Sequence, residues 1–121
     1  MTTATKPQFL LLFHHTLEGP DPTPEEMEKI FGQWMAWMKK MTAKGQMVGA
    51  NRLQDTGKVL RPPRGSQIFD GPYAESKEVV GGYVLIQADN MDQAMEIARG
   101  CPGLDMETTV EVRPVEPLPP I

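Results

Sequence analysis

Two adjacent histidines, His14 and His15, are the side chains best suited to proton transfer in this sequence, and they are its only histidines. Imidazole titrates near neutrality, so either one can serve as a general base or acid. They follow the apolar run Phe9–Phe13, and neighbouring strand residues point to opposite faces. At most one of them therefore looks into any given cleft. The plainer reading is a pair of strand-end histidines with no task. A second polar cluster lies in Asp70-Gly71-Pro72-Tyr73-Ala74-Glu75-Ser76-Lys77-Glu78. Asp-Gly-Pro is turn chemistry, because Asp bonds its own backbone and Pro fixes φ. Lys77 and Glu78 are able to pair with each other or with solvent. The functional reading sets Asp70 and Tyr73 at the mouth of a cleft, with Lys77 close by and Arg113 holding a carboxylate through its bidentate fork. His14, His15 and Asp70 are thus the candidate catalytic residues, and Tyr73, Lys77, Trp34 and Arg113 the candidate ligand contacts.

Other chemistries find less support. Adjacent histidines do not readily share one ion, and neither H-x-x-x-H nor C-x-x-C spacing occurs, so no metal is expected. The single cysteine, Cys101, follows a helix end whose dipole disfavours a thiolate. It reads as a small buried filler. Gly71, Gly81 and Gly82 form neither phosphate-binding glycine pattern, so no nucleotide cofactor is expected. A net charge of −4 and a pI near 5.1 argue against a nucleic-acid binder, which needs concentrated Lys and Arg. One cysteine fits a reducing compartment, and the longest apolar run is far too short to span a bilayer. A cytoplasmic protein is the expectation, with no membrane partner.

The elements that must position these residues are legible in outline. A length of 121 residues and a 40% hydrophobic fraction suit one domain over 1–121, with tails at 1–7 and 116–121. Phe9–Phe13 reads as a strand buried on both faces. Thr23-Pro24-Glu25-Glu26 starts a helix, with Thr23 as cap, Pro24 in the first turn and Glu26 completing a capping box. Met27, Ile30, Phe31, Trp34, Trp37, Met38 and Met41 recur at three- and four-residue spacing and form one wide apolar face. They read as core, with a few free to line a pocket between helix and sheet. Lys39, Lys40 and Lys44 suit the negative helix end, and Gly45 stops it.

A second strand is expected over Met47–Leu53, with Asp55-Thr56-Gly57 as a hairpin loop. A short third strand over Lys58–Arg61 is broken by Pro62 and Pro63 and resumes over 66–69. Gly81-Gly82 lets the backbone bend or approach another segment before the clearest strand, Gly82–Ala88. Asn90 caps a second helix, with Gln93 at the capping-box position, and Gly100 and Pro102 stop it. Thr109–Val115 alternates as a half-exposed strand. The order β-α-β-β-α-β, with an extra or broken strand, is the ferredoxin-like pattern of an α+β fold. Both helices of such a fold cover one sheet face. The other is left bare unless a partner covers it, so a homodimer joined sheet to sheet is expected.

The stretch Asp70–Glu78, continuing to Gly81-Gly82-Tyr83, resembles the signature of the DGPF proteins, a branch of the YCII-related family that usually shows Phe where Tyr73 stands. Ala94–Pro102 resembles the helix that follows that motif, and Val110–Val115 resembles the last strand. The similarity spans roughly residues 8 to 115. It implies a dimeric α+β barrel. Enzyme-like members of the family carry a histidine on the first helix and an aspartate just before a proline after the second. Here residues 25–44 hold no histidine and Cys101 precedes Pro102, so that dyad does not carry over. Two functions follow from the resemblance. One is a small-ligand-binding or regulatory accessory module, since family members are associated with sigma-factor-type regulators. The other is a cofactor-independent isomerase, lyase or dehydrohalogenase that uses a His or a carboxylate in the inter-sheet cleft.

Overall fold

The computed structural model describes residues 6–16, 19–73 and 78–120. Six strands and two α-helices form a mixed α+β architecture: β1 (Gln8–Thr16), α1 (Pro24–Ala43), β2 (Met47–Arg52), β3 (Gly57–Arg61), β4 (Gln67–Gly71), β5 (Glu78–Gln87), α2 (Met91–Ala98) and β6 (Thr109–Pro114). A 3₁₀ turn, Pro102–Asp105, joins α2 to β6. The main sheet has the order β2-β5-β1-β6, and every neighbouring pair is antiparallel. β3 and β4 form a separate two-stranded sheet.

Local chemistry accounts for both helices. Thr23 Oγ1 accepts from the Glu26 amide at 3.1 Å, and Glu26 Oε1 accepts from the Thr23 amide at 3.2 Å, a reciprocal capping box. Gly45, at φ 69°, supplies the left-handed residue just beyond α1. Asn90 caps α2 by accepting from the Gln93 amide at 2.9 Å. The Gln93 side chain reaches back to the Asp89 amide, one residue before the expected partner.

Both helices pack on one face of the main sheet. Phe9, Leu11 and Phe13 of β1 and Val84 and Ile86 of β5 meet Trp37 and Met41 of α1 and Ala94, Ile97 and Ala98 of α2. Trp37 sits at the centre. Its Nε1 donates to Ile97 O at 3.2 Å, and its ring makes edge contacts with Phe13 and Trp34 at centroid distances of 6.1 and 5.7 Å.

Several sequence expectations need correction. β1 runs beyond Phe13 through His14 and His15 to Thr16, and only alternate residues are buried. Leu10 and Leu12 face away from the helices and stay half-exposed, because this chain places no helix there. Asp55-Thr56-Gly57 closes no hairpin, since β2 pairs with β5. The hairpin instead joins β3 to β4 through the two-proline segment. The turn in the Asp-Gly-Pro motif starts later than expected. Asp70 and Gly71 are the last residues of β4, paired with Lys58 and Gly57, and the φ of Gly71 lies outside the left-handed region. β5 begins at Glu78, so Gly81 and Gly82 lie inside it.

Candidate functional site

The pleat separates the two histidines as expected. His14 lies on the outer sheet face, where its Nε2 is 2.9 Å from Glu111 Oε1 of β6. His15 follows Phe13 on the helix-facing side and lines a cavity of about 720 Å³. Its Nδ1 lies 3.2 Å from Thr16 O, and its Nε2 is 3.8 Å from Asp55 Oδ1.

The cavity lies between α1 and one end of the main sheet. Met27, Ile30, Phe31, Trp34 and Met38 supply its apolar wall from α1. These residues belong to the wide apolar face read from the sequence, yet only Trp37 and Met41 of that face are buried. Phe31 is 58% exposed and Met27 43%. The face is wider than the core that covers it, and the surplus, nearest the start of α1, borders the cavity. Trp34 is held there by an edge contact with Phe13 at a centroid distance of 4.8 Å.

The sheet end that closes the cavity is built by the glycine pair. Phe13 pairs with Gly82 and His14 with Val80, so Gly81 is an extra residue bulged out of β5. A Cβ at Gly81 would collide with the His15 imidazole, which lies directly against the bulge. Gly82 in turn pairs with Arg52 of β2. Phe13, Gly82 and Arg52 thus form one row across the sheet, with no side chain between the aromatic ring and the cation. Paired residues share a sheet face, which sets Arg52 on the helix-facing side, and it lines the cavity with His15 and Thr108. Replacing Gly81 with alanine is therefore expected to cost about 1–3 kcal/mol by overpacking. Most of that loss should be regained in the Gly81→Ala/His15→Ala double variant. Urea unfolding of both checks this, and an unaffected single variant would contradict the packing.

The other residues singled out from the sequence lie elsewhere. Asp70 is exposed on β4 and ion-paired with Lys58, and it does not line the cavity. Tyr73, 63% exposed, does not line it either. Lys77 lies outside the described residues. Arg113 is on the outer face of β6, opposite Leu10, with Nε 3.9 Å from Glu111 Oε2. The structure therefore brings His15 and Trp34 together at one cavity and leaves His14, Asp70, Tyr73 and Arg113 off its wall. Cys101 is buried, and desolvation pushes its thiol up to about 11, as suits a filler and not a nucleophile. Among the described residues, no three His, Cys, Asp or Glu side chains group as a metal site would require.

Arg52 and Asp55 carry no site signal of their own in the sequence. Arg52 falls within an expected strand. Its register opposite Gly82, which leaves it beside the cavity, was the signal that could have found it. Asp55 gains interest only from the fold, which brings it to a histidine far away in sequence.

Residues 5–119 match the family model of the YCII-related domain. An uncharacterised protein of Rhizobium meliloti (strain 1021) is 34% identical over 95 residues, which make up 75% of this chain and 77% of that protein. No helix among the described residues is long and apolar enough to cross a membrane.

Proposed function

The chain belongs to the YCII-related family, and from that premise we propose that it is a small-ligand-binding module whose site is the cavity between α1 and the sheet. It works as a homodimer of ferredoxin-like protomers joined through their outer sheet faces, as a dimeric α+β barrel of the DGPF branch. The branch assignment rests on the Asp70–Glu78 signature. With the β3–β4 hairpin set aside, the main sheet carries the strand connections and antiparallel order that such a protomer needs.

One observation carries the ligand reading. Phe31 and Met27 stand exposed on the apolar face of a helix that packs Trp34, Trp37, Met38 and Met41 into the core, and they border a cavity of about 720 Å³. That volume is in the range of small-molecule sites, which are mostly apolar with a few placed polar groups. Leaving two large apolar side chains about half in water forgoes about half of the roughly 1.5–3 kcal/mol that full burial of each would give. An apolar ligand body recovers part of that. Because Phe31 is exposed, Phe31→Asn is expected to leave stability within about 0.5 kcal/mol. The same change should weaken binding of a neutral aromatic probe, 2-naphthol, about tenfold, the scale of one apolar side chain. Calorimetric titration reads both proteins. Equal affinity in the two, or no binding to either, would remove the cavity as the site.

A second reading rests on the His15–Asp55 pair. A histidine on the cavity wall with a carboxylate 3.8 Å away is the start of a general base and its orienting group. That distance is longer than a hydrogen bond, so a cofactor-independent isomerase, lyase or dehydrohalogenase would need the pair to tighten around its substrate.

A further inference from the structure

The cavity has two chemically different ends. Its α1 side is apolar and aromatic, with Trp34, Phe31 and Met27. Its sheet side carries Arg52 and His15, and among the described residues no lysine, aspartate or glutamate lines the wall. Asp55, whose Oδ1 is 3.8 Å from His15 Nε2, is associated with that histidine. Among the described residues, Arg52 makes no ion pair. A lone guanidinium beside an apolar cavity is notable in a chain whose net charge is −4. Its position is not accidental to the packing. Gly82 stands between Phe13 and Arg52 in their row, and it is buried with the β2 backbone close against it, so that no side chain separates the ring from the strand that carries the cation.

We propose that the ligand of this cavity is a small organic anion, an aromatic or flat apolar body bearing one carboxylate, with the carboxylate held by Arg52 and the body against Trp34 and Phe31. This rests on the small-ligand reading above and names its ligand class. A carboxylate supplies the acceptor pair that matches the guanidinium fork, and charge-assisted bonds of this kind are the stronger ones. Arg52 is exposed at the cavity rim, so the geometry of the fork, more than exclusion of water, gives the pair its worth. The Thr108 hydroxyl, elsewhere on the cavity wall, is a further donor.

The test compares two probes that differ only in charge, 2-naphthoate and its neutral amide 2-naphthamide. Calorimetric titration at low salt is run on the unaltered protein, Arg52→Gln and Arg52→Lys. The unaltered protein should bind the carboxylate about tenfold tighter than the amide, from a charge-assisted hydrogen bond gained. In Arg52→Gln that preference should disappear while amide affinity stays the same. Arg52→Lys should keep only part of the preference, since it lacks the fork. Equal affinity for both probes in the unaltered protein would overturn the anion proposal and leave the cavity as a binding site for neutral ligands. A preference that survives in Arg52→Gln would overturn the role of Arg52. Binding of neither probe would overturn both this inference and the small-ligand reading beneath it.

Discussion

Replacing Trp37 with alanine is expected to cost about 3–5 kcal/mol of folding stability, the upper range for a single core truncation. Trp37 is 7% exposed and joins three elements: α1, on which it sits, β1 through Phe13, and the end of α2 through the bond to Ile97 O. Truncation opens a cavity among these elements and removes one donor from Ile97 O, which keeps the Gly100 amide at 3.1 Å. The neighbourhood has no means of closing inward cheaply. Gly100 already lies against the indole, and a Cβ there would come 2.8 Å from Trp37 Nε1. Since a domain of this kind is held by only about 5–15 kcal/mol, the variant should unfold at far lower urea. Trp37→Phe keeps a ring but not the donor and should lose about 1–2 kcal/mol. Chemical denaturation followed by circular dichroism gives both values. A loss below 1 kcal/mol for the alanine variant would mean that Trp37 is not the joint described.

The second large effect concerns assembly. Leu85→Lys is expected to convert a dimer to a monomer. Leu85 pairs directly with Leu10, and Tyr83 with Leu12, on the sheet face that neither helix covers. His14, Glu111 and Arg113 flank this apolar stripe on the same face, an apolar centre with a polar rim as interfaces have. A lysine placed at the centre of such a contact must give up its hydration with no partner, at a cost of several kcal/mol per buried charge. Light scattering on the unaltered protein should give the dimer mass and on Leu85→Lys the monomer mass, with the far-ultraviolet spectrum unchanged. A variant that stays dimeric places the interface elsewhere.

What the sequence disclosed and what it hid follow a physical line. The capping box at Thr23–Glu26 and the Asn90 cap are local, since a few neighbouring residues decide them, and both were readable. The opposed histidines were readable for the same reason, because the pleat is a local geometry. Periodicity also found the apolar face of α1, but it cannot say what covers each apolar residue. Trp37 and Met41 enter the core while Phe31 and Met27 border a cavity, and that division depends on where the sheet ends. The Asp-Gly-Pro motif drew attention through its composition, yet Asp70 sits on the separate β3–β4 sheet with Lys58. Gly81 and Gly82 were read as a bend before a strand. They are instead a bulge that makes room for His15 and a buried position within β5 against which the β2 backbone at Asn51 and Arg52 packs closely. Non-local pairing created the site, and the signals for non-local pairing are weak in a single chain.

The most direct test of the ligand account is a crystal structure of the protein as purified from cells, inspected between α1 and the sheet end formed by Gly81 and Gly82. The account predicts electron density of a small molecule against Trp34 and Phe31, with its polar end at Arg52 and His15. A cavity closed by the Phe31 and Met27 side chains packed onto the sheet, with no room for a ligand, would contradict it.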